Sequence, residues 1–212
     1  MMTGILGGTF DPIHLGHTHI AKQVVTRLGL QRLQFMPCAL PVHRGSPHAN
    51  AEQRCEMIQL AIEDTPAFSL NRIELERGGP SFTVDSLRRM RGGPGFQPGE
   101  DSLVLILGAD AFNGFSSWKQ PGEILQLAHL VICCRPGFEI DKNLFATHRV
   151  ATPAQLRRRN AGAIMALAVD APDCSSSQVR GILQQGLTAR QYLSSAVADY
   201  IDQHTLYRKQ CD

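Results

Sequence analysis

Two histidines three residues apart, His14 and His17, close the stretch GGTFDPIHLGH that runs from Gly7 to His17. Imidazoles at that spacing can share one helix face, where they could ligate a metal or donate to an anion. A zinc site needs further ligands, and the chain offers no HExxH pattern and no Cys or His pair to complete one. The glycines favour an anion. Gly7 and Gly8 follow an apolar segment and precede a helical pattern, where bare backbone N–H groups can hold a phosphate. Gly16, between the histidines, removes a side chain from the same surface. A dinucleotide fingerprint would read GxGxxG and a P-loop GKS or GKT, and neither is present. On this stretch alone, an ordinary strand-to-helix turn that carries histidines remains the alternative.

The elements that would position these residues follow from hydrophobic periodicity. TGILGG is a short apolar strand, Ile20, Val24 and Leu28 recur at helical spacing before Gly29, and RLQFMP is a second strand closed by Pro37. Strand, helix and strand within about 30 residues form a βαβ unit with parallel strands. Asn50 is a candidate cap for a helix that presents Met57, Leu60 and Ala61. FSLNRIELE reads as one or two short strands, and SFTVDSLRRMR as a helix capped by its serine that turns Val84 and Leu87 inward. SLVLILGAD is an unbroken apolar strand ending at Gly108 and Asp110. EILQLAHLVICCRPG gives a helix and a buried strand, AIMALAV the last strand. SSSQVRGILQQG is a helix with serines at its start and Gly186 at its end, and SAVADYIDQHTLY is the closing helix.

Residues 138–162 read as a polar surface excursion with room for a helix from Pro153 to Asn160, and Arg157 to Arg159 as a solvated face. The pattern predicts an α/β fold, doubly wound and Rossmann-like, with a mostly parallel sheet and helices on both faces. One domain over residues 1–212 is the economical organisation. Ligands of such sheets sit beyond the carboxyl ends of strands. Four segments with chemical promise fall there: Gly7 to His17, Gly108 to Asp110, Arg135-Pro136-Gly137, and Ser175 to Arg180.

Composition narrows the class. In 212 residues, 43% are hydrophobic and 19% charged, as in a globular protein with one good-sized core. No apolar run approaches the roughly 20 residues of a membrane-spanning helix, and the first residues lack the form of a secretory signal. The expected location is cytoplasmic. A net charge of +2 is too small for a DNA-coating protein but allows a locally basic pocket. The six cysteines show no CxxC pair and are read as reduced thiols, with Cys133 and Cys134 on opposite faces of a strand.

GGTFDPIHLGH resembles the signature of the HxGH nucleotidyltransferase superfamily, with His14, Gly16 and His17 at the named positions. SSSQVR, Ser175 to Arg180, resembles its second signature, (S/T)xxIR, with Val179 in place of Ile. PVHRG, EQRCEMIQLAI, PSFTVDSL, LGADAFNGFSSWKQPGEIL and LVICCRPG further resemble, in order, segments of the bacterial nicotinate-nucleotide adenylyltransferases. PVHRG departs from that family's PPHK/R by Val42. The resemblance implies transfer of AMP from ATP to nicotinate mononucleotide, giving the deamido dinucleotide and pyrophosphate, with nicotinamide mononucleotide as the alternative acceptor. It implies ATP binding by Gly7, Gly8, Thr9, Phe10, His14, Gly16, His17, Gly108, Asp110, Ser176, Ser177 and Arg180. Of these, His14, His17 and Arg180 would be catalytic. Arg44, Thr83, Trp118 and Arg135 would serve the mononucleotide. Mg²⁺ is expected with ATP, on few or no protein ligands. No nucleic-acid or membrane partner is implied, and a homo-oligomer is left open.

Overall fold

Strands whose residues are apolar on both sides must be covered on both sides, and this chain's longest apolar runs are covered in that way. The computed structural model describes residues 1–41, 45–135, 140–141 and 143–208. Among them, the elements run β1 (Met2–Gly8), α1 (Leu15–Leu28), β2 (Arg32–Pro37), α2 (Ala51–Ile62), β3 (Phe68–Leu70), α3 (Ile73–Arg77), α4 (Thr83–Arg91) and β4 (Ser102–Gly108). There follow α5 (Ala109–Asn113), α6 (Pro121–Leu127), β5 (His129–Cys134), β6 (Arg149–Val150), α7 (Pro153–Leu156), β7 (Ile164–Ala168), α8 (Ser176–Gln184) and α9 (Ser195–Gln203). The seven strands form one sheet in the order β3-β2-β1-β4-β5-β7-β6, and every pairing is parallel.

Two apolar clusters lie on the two faces of that sheet. One joins Leu33, Phe35, Val104, Ile106, Val131 and Met165 to residues of α1, α2, α8 and α9, such as Val24, Met57, Val179 and Ile201. The other joins Ile5, Leu105, Leu107, Leu130 and Ile132 to α4, α5 and α6 through Val84, Leu87, Phe112 and Ile124. Cys133 belongs to the first cluster and Cys134 packs against the second, as the alternation of a strand requires. Burial of this many large apolar side chains is the main driving force for the fold.

The strand order reverses at β1, with β2 on one side and β4 on the other. The β1–β4 register places Leu6 opposite Ile106, so Gly7-Gly8 and Leu107-Gly108 leave the sheet side by side. That switch point is where a parallel sheet opens a crevice for ligands.

The structure departs from the sequence reading in several places. FSLNRIELE yields a three-residue strand and then α3, because Asn71 Oδ1 accepts the Ile73 N–H at 2.9 Å and starts a turn. Ser81 does not cap α4. Its Oγ accepts the Ala39 N–H at 2.8 Å, tying the loop after β2 to α4, and Phe82 stands at the cap position. The closing helix stops at Gln203. The described part of the 138–162 segment is not merely a surface excursion: β6 adds the sheet's edge strand, the helix from Pro153 ends at Leu156, and Leu156 is fully buried. Arg157 is not simply solvated either, since it donates to the Leu28 carbonyl at the end of α1. His129, at the head of β5, fastens the end of this segment: it bonds the Arg159 carbonyl through Nε2 at 3.0 Å and accepts the Ala163 N–H on Nδ1 at 3.2 Å.

Candidate active site

The loop from Thr9 to His14 carries the chain from β1 to α1 through a cis Asp11–Pro12 bond and a left-handed Phe10 (φ 51°). The Phe10 ring is 2% exposed and points into the core, edge-on to His17 at 5.0 Å and tilted against Phe35 at 5.8 Å. Phe10 therefore supports the site from beneath, and its backbone is what borders the crevice. His14 stands at the N-cap of α1 and His17 one turn along. Their rings stack, with centroids 3.7 Å apart and planes 29° from parallel.

Hydrogen bonds assign the imidazoles different states. The backbone N–H of His14 donates to His17 Nδ1 at 3.3 Å, so a neutral His17 carries its proton on Nε2. His14 is 5% exposed, and among the described residues its buried Nδ1 has no hydrogen-bond partner. Burial first, then the positive charge of Arg135, pushes its pKa down to about 4. His14 therefore stays neutral until the pH falls toward about 4. Arg135 directly follows the last residue of β5.

Arg180, on α8, reaches back to the opening loop. Its Nη1 donates to the Asp11 carbonyl at 2.7 Å and its Nη2 to Ser177 Oγ at 3.3 Å, which leaves other N–H groups of the fork for an anion. Ser175 caps α8 by accepting the Gln178 N–H at 3.2 Å. Ser176 Oγ donates to the Pro12 carbonyl at 2.9 Å, which docks the N-terminus of α8 on the same loop. Ser177 is exposed beside it. Thus Gly7, Gly8, Thr9, His14, Gly16, His17, Ser176, Ser177 and Arg180 come together although the two stretches lie far apart in sequence.

On the β4 side, Gly108 caps α5, and Asp110 lies exposed in the first turn. Gly108 has an ordinary extended backbone (φ −74°, ψ 161°), and a Cβ there would meet no atom within 4 Å. Neither conformation nor packing within the chain demands a glycine at that rim. Beyond α5, Phe112 and Phe115 are buried, and Trp118 stands half-buried, edge-on to Phe115 at 5.5 Å. Lys119 lies 4.5 Å from the Phe82 ring and 2.9 Å from an Asp85 oxygen. These contacts bring Trp118 alongside the N-terminus of α4, where Thr83 is the first helical residue. Arg44 lies outside the described residues.

Sequence reasoning assigned no role to Asp11, Tyr207 and Arg54, which hold this arrangement. Asp11, 3% exposed, accepts the N–H groups of His48 (2.8 Å) and Ala49 (3.0 Å) and the Tyr207 hydroxyl (2.9 Å). Burial would raise its pKa, but these donors more than offset that and hold it below the ordinary carboxylate value. Arg54, 1% exposed, donates to the carbonyls of Thr9 (2.8 Å) and Cys38 (2.9 Å), pinning the ends of β1 and β2 together. An arginine sharing a helix face with Met57 and Ile58 was the available signal, because a charge at a core position needs partners. Among the described residues, no group of three or more His, Cys, Asp or Glu is arranged to hold a metal ion, and no helix is long and apolar enough to cross a membrane.

Comparison with known proteins bears on the family and the fold. The cytidylyltransferase-like family matches residues 5–182. The protein named "Probable nicotinate-nucleotide adenylyltransferase" in Dechloromonas aromatica (strain RCB) is 39% identical over 213 residues, covering 97% of each chain. Its namesake in Cellvibrio japonicus (strain Ueda107) is 40% identical over 210 residues, covering 97% of this chain and 98% of the relative. Among solved structures, the Plasmodium falciparum nicotinic acid mononucleotide adenylyltransferase complexed with NaAD shares the fold, with a TM-score of 0.75, 18% identity and 97% of both chains covered. With near-complete coverage at such identity, the chain belongs to the nicotinate-nucleotide adenylyltransferase family, within the cytidylyltransferase-like proteins.

Proposed function

We propose that His14, His17 and Arg180 catalyse transfer of AMP from ATP to nicotinate mononucleotide, giving nicotinate adenine dinucleotide and pyrophosphate for NAD biosynthesis. The observation that carries the assignment of residues is their convergence. Arg180, held by the Asp11 carbonyl, and the stacked histidines border the glycine-lined end of β1 at the switch point of the sheet.

In the reaction, a phosphate oxygen of the mononucleotide attacks the α-phosphorus, a new P–O bond forms, and the bond to the β-phosphate oxygen breaks as pyrophosphate departs. Both reactants are anionic, so alignment and charge neutralisation dominate, and no covalent enzyme intermediate is needed. His17, protonated on Nε2, donates to phosphate oxygens. His14 acts at neutral pH as an uncharged hydrogen-bonding group, and Arg180 supplies the permanent charge that the departing pyrophosphate requires. The N–H groups and hydroxyls opening α8, on Ser176 and Ser177, serve the outer phosphates. Gly7, Gly8 and Gly108 let the nucleotide approach the strand ends, and Asp110 accepts from ribose hydroxyls.

The acceptor lies toward Trp118, whose indole stacks on the flat pyridinium, while the α4 N-terminus at Thr83 meets the carboxylate. Arg135 completes the positive side of the pocket, and Arg44 is assigned to the mononucleotide on the resemblance of PVHRG alone. Mg²⁺ would come with ATP, with few or no ligands from this chain. This fits a chain whose buried carboxylate Asp11 already has its acceptor positions filled, and the ion supplies charge neutralisation on the triphosphate when bound. We assign the activity to one domain spanning residues 1–212 and to the cytoplasm.

The test is pyrophosphate release from ATP with nicotinate mononucleotide and, separately, with nicotinamide mononucleotide. Strong preference for the nicotinate substrate is expected; preference for the amide would overturn the acceptor assignment.

A further inference from the structure

The Asp11 carboxylate is filled on every side. Oδ1 accepts from the Ala49 N–H at 3.0 Å and the Tyr207 hydroxyl at 2.9 Å. Oδ2 accepts from the His48 N–H at 2.8 Å, faces His48 Nδ1 at 3.2 Å, and lies 3.9 Å from Arg180 Nη1. With its lone-pair directions occupied, the group has one orientation. The same residue's carbonyl takes the Arg180 Nη1 donor at 2.7 Å, so backbone and carboxylate of one aspartate both act on one guanidinium.

Tyr207 comes from the far end of the chain. It is 8% exposed, and burial together with the neighbouring Asp11 charge raises its pKa, so the phenol keeps its proton and donates. After α9, the backbone enters the left-handed region at Thr205 (φ 52°) and again at Tyr207 (φ 62°). Non-glycine residues hold that conformation where surrounding contacts dictate it. The buried phenol–carboxylate bond is such a contact.

We propose that Tyr207 and Asp11 form a positioning relay for Arg180. The C-terminal phenol fixes the Asp11 carboxylate, and Asp11 holds the guanidinium toward the phosphates. The relay rests on the reading of Arg180 as the pyrophosphate clamp. Neither Tyr207 nor the Asp11 carboxylate is a catalytic residue; each acts through Arg180.

A double-mutant cycle on the full chain tests the relay, with thermal melts to confirm folding and ATP and nicotinate mononucleotide as substrates. Removing one buried hydrogen bond to a charged group is expected to lower kcat/KM for ATP by about tenfold in Tyr207→Phe, with the KM for the mononucleotide unchanged. In an Arg180→Ala background, Tyr207→Phe should cause less than about a twofold further loss, because the group it positions is gone. Losses that multiply in both backgrounds, or a matching rise in the mononucleotide KM, would overturn the relay while leaving the clamp intact. Full turnover in Arg180→Ala would instead overturn the clamp itself, and the relay with it. Should Tyr207→Phe not fold, His48→Ala removes the imidazole contact from a half-exposed side chain. A loss of about twofold to threefold that disappears without Arg180 supports the relay, and a loss that persists there overturns it.

Discussion

A Cβ on Gly16 would stand 3.0 Å from Nδ1 and 3.1 Å from Cε1 of His14, so the glycine holds the space that the imidazole fills. The backbone of α1 does not need a glycine here, and alanine is the better helix former by about 1 kcal/mol. Gly16→Ala should therefore leave thermal stability nearly unchanged while pushing the His14 ring out of its stack with His17. Displacement of a catalytic group on this scale lowers kcat by about 10- to 100-fold. Steady-state kinetics beside a melting curve measures both, and an undiminished kcat would remove the role given to the stacked pair.

Acid should destabilise the protein through two buried histidines. His14 and His129 are each pushed down to about 4 from an ordinary 6.5, His14 by burial and Arg135, His129 by burial, which outweighs its bond to the Arg159 carbonyl. A folded-state pKa below the unfolded one means that the unfolded chain binds more protons between pH 6.5 and 4. This stabilisation is complete above about pH 6.5 and is lost as pH falls through that window, on the order of 3 kcal/mol for each group at the acid limit. Urea unfolding at pH 7.5, 6 and 5 should show the decline, and His129→Gln should flatten part of it. An identical decline in the variant would assign the acid sensitivity elsewhere.

The legible parts of the sequence were those governed by local patterns. β4 and β5 stand out because both faces of a parallel strand are buried, and α1 ends at Gly29 because a left-handed C-cap (φ 61°) suits glycine. The His14, His17, Ser177 and Arg180 group was visible because its two stretches keep characteristic spacing. Less legible were positions set by distant partners. Asp11 reads as a turn residue until Tyr207 arrives from the other end of the chain, and Ser81 reads as a cap until Ala39 claims its oxygen. The segment before β7 looked polar because few of its side chains are buried, yet Leu156 and the two-residue β6 close the sheet.

Trp118 should control acceptor affinity more than turnover. Phe115 backs the indole edge-on at 5.5 Å, and Phe145 in turn meets Phe115 at 5.4 Å, so the ring is supported while part of it stays accessible. Loss of a stacking surface for a flat cation corresponds to a rise in the mononucleotide KM of about tenfold in Trp118→Ala, with the KM for ATP little changed. Trp118→Phe should keep much of the affinity. A mononucleotide KM equal to that of the native enzyme would leave the indole as core packing against Phe115.

Arg54 should be a major contributor to stability although it touches no reacting group. Its two terminal nitrogens hold the Thr9 and Cys38 carbonyls while the side chain is almost wholly buried. Arg54→Ala removes both donors, strands two carbonyls and opens a cavity, a loss of about 3–5 kcal/mol. In a chain of this size that corresponds to a melting temperature lower by very roughly 10 °C. Arg54→Met fills most of the space, so its deficit isolates the carbonyls that lose their donors. If Thr9 borders the triphosphate as proposed, both variants should also raise the KM for ATP before they affect that of the mononucleotide. Arg54→Met with native stability would mean that water replaces the guanidinium, and that the ends of β1 and β2 stay together without it.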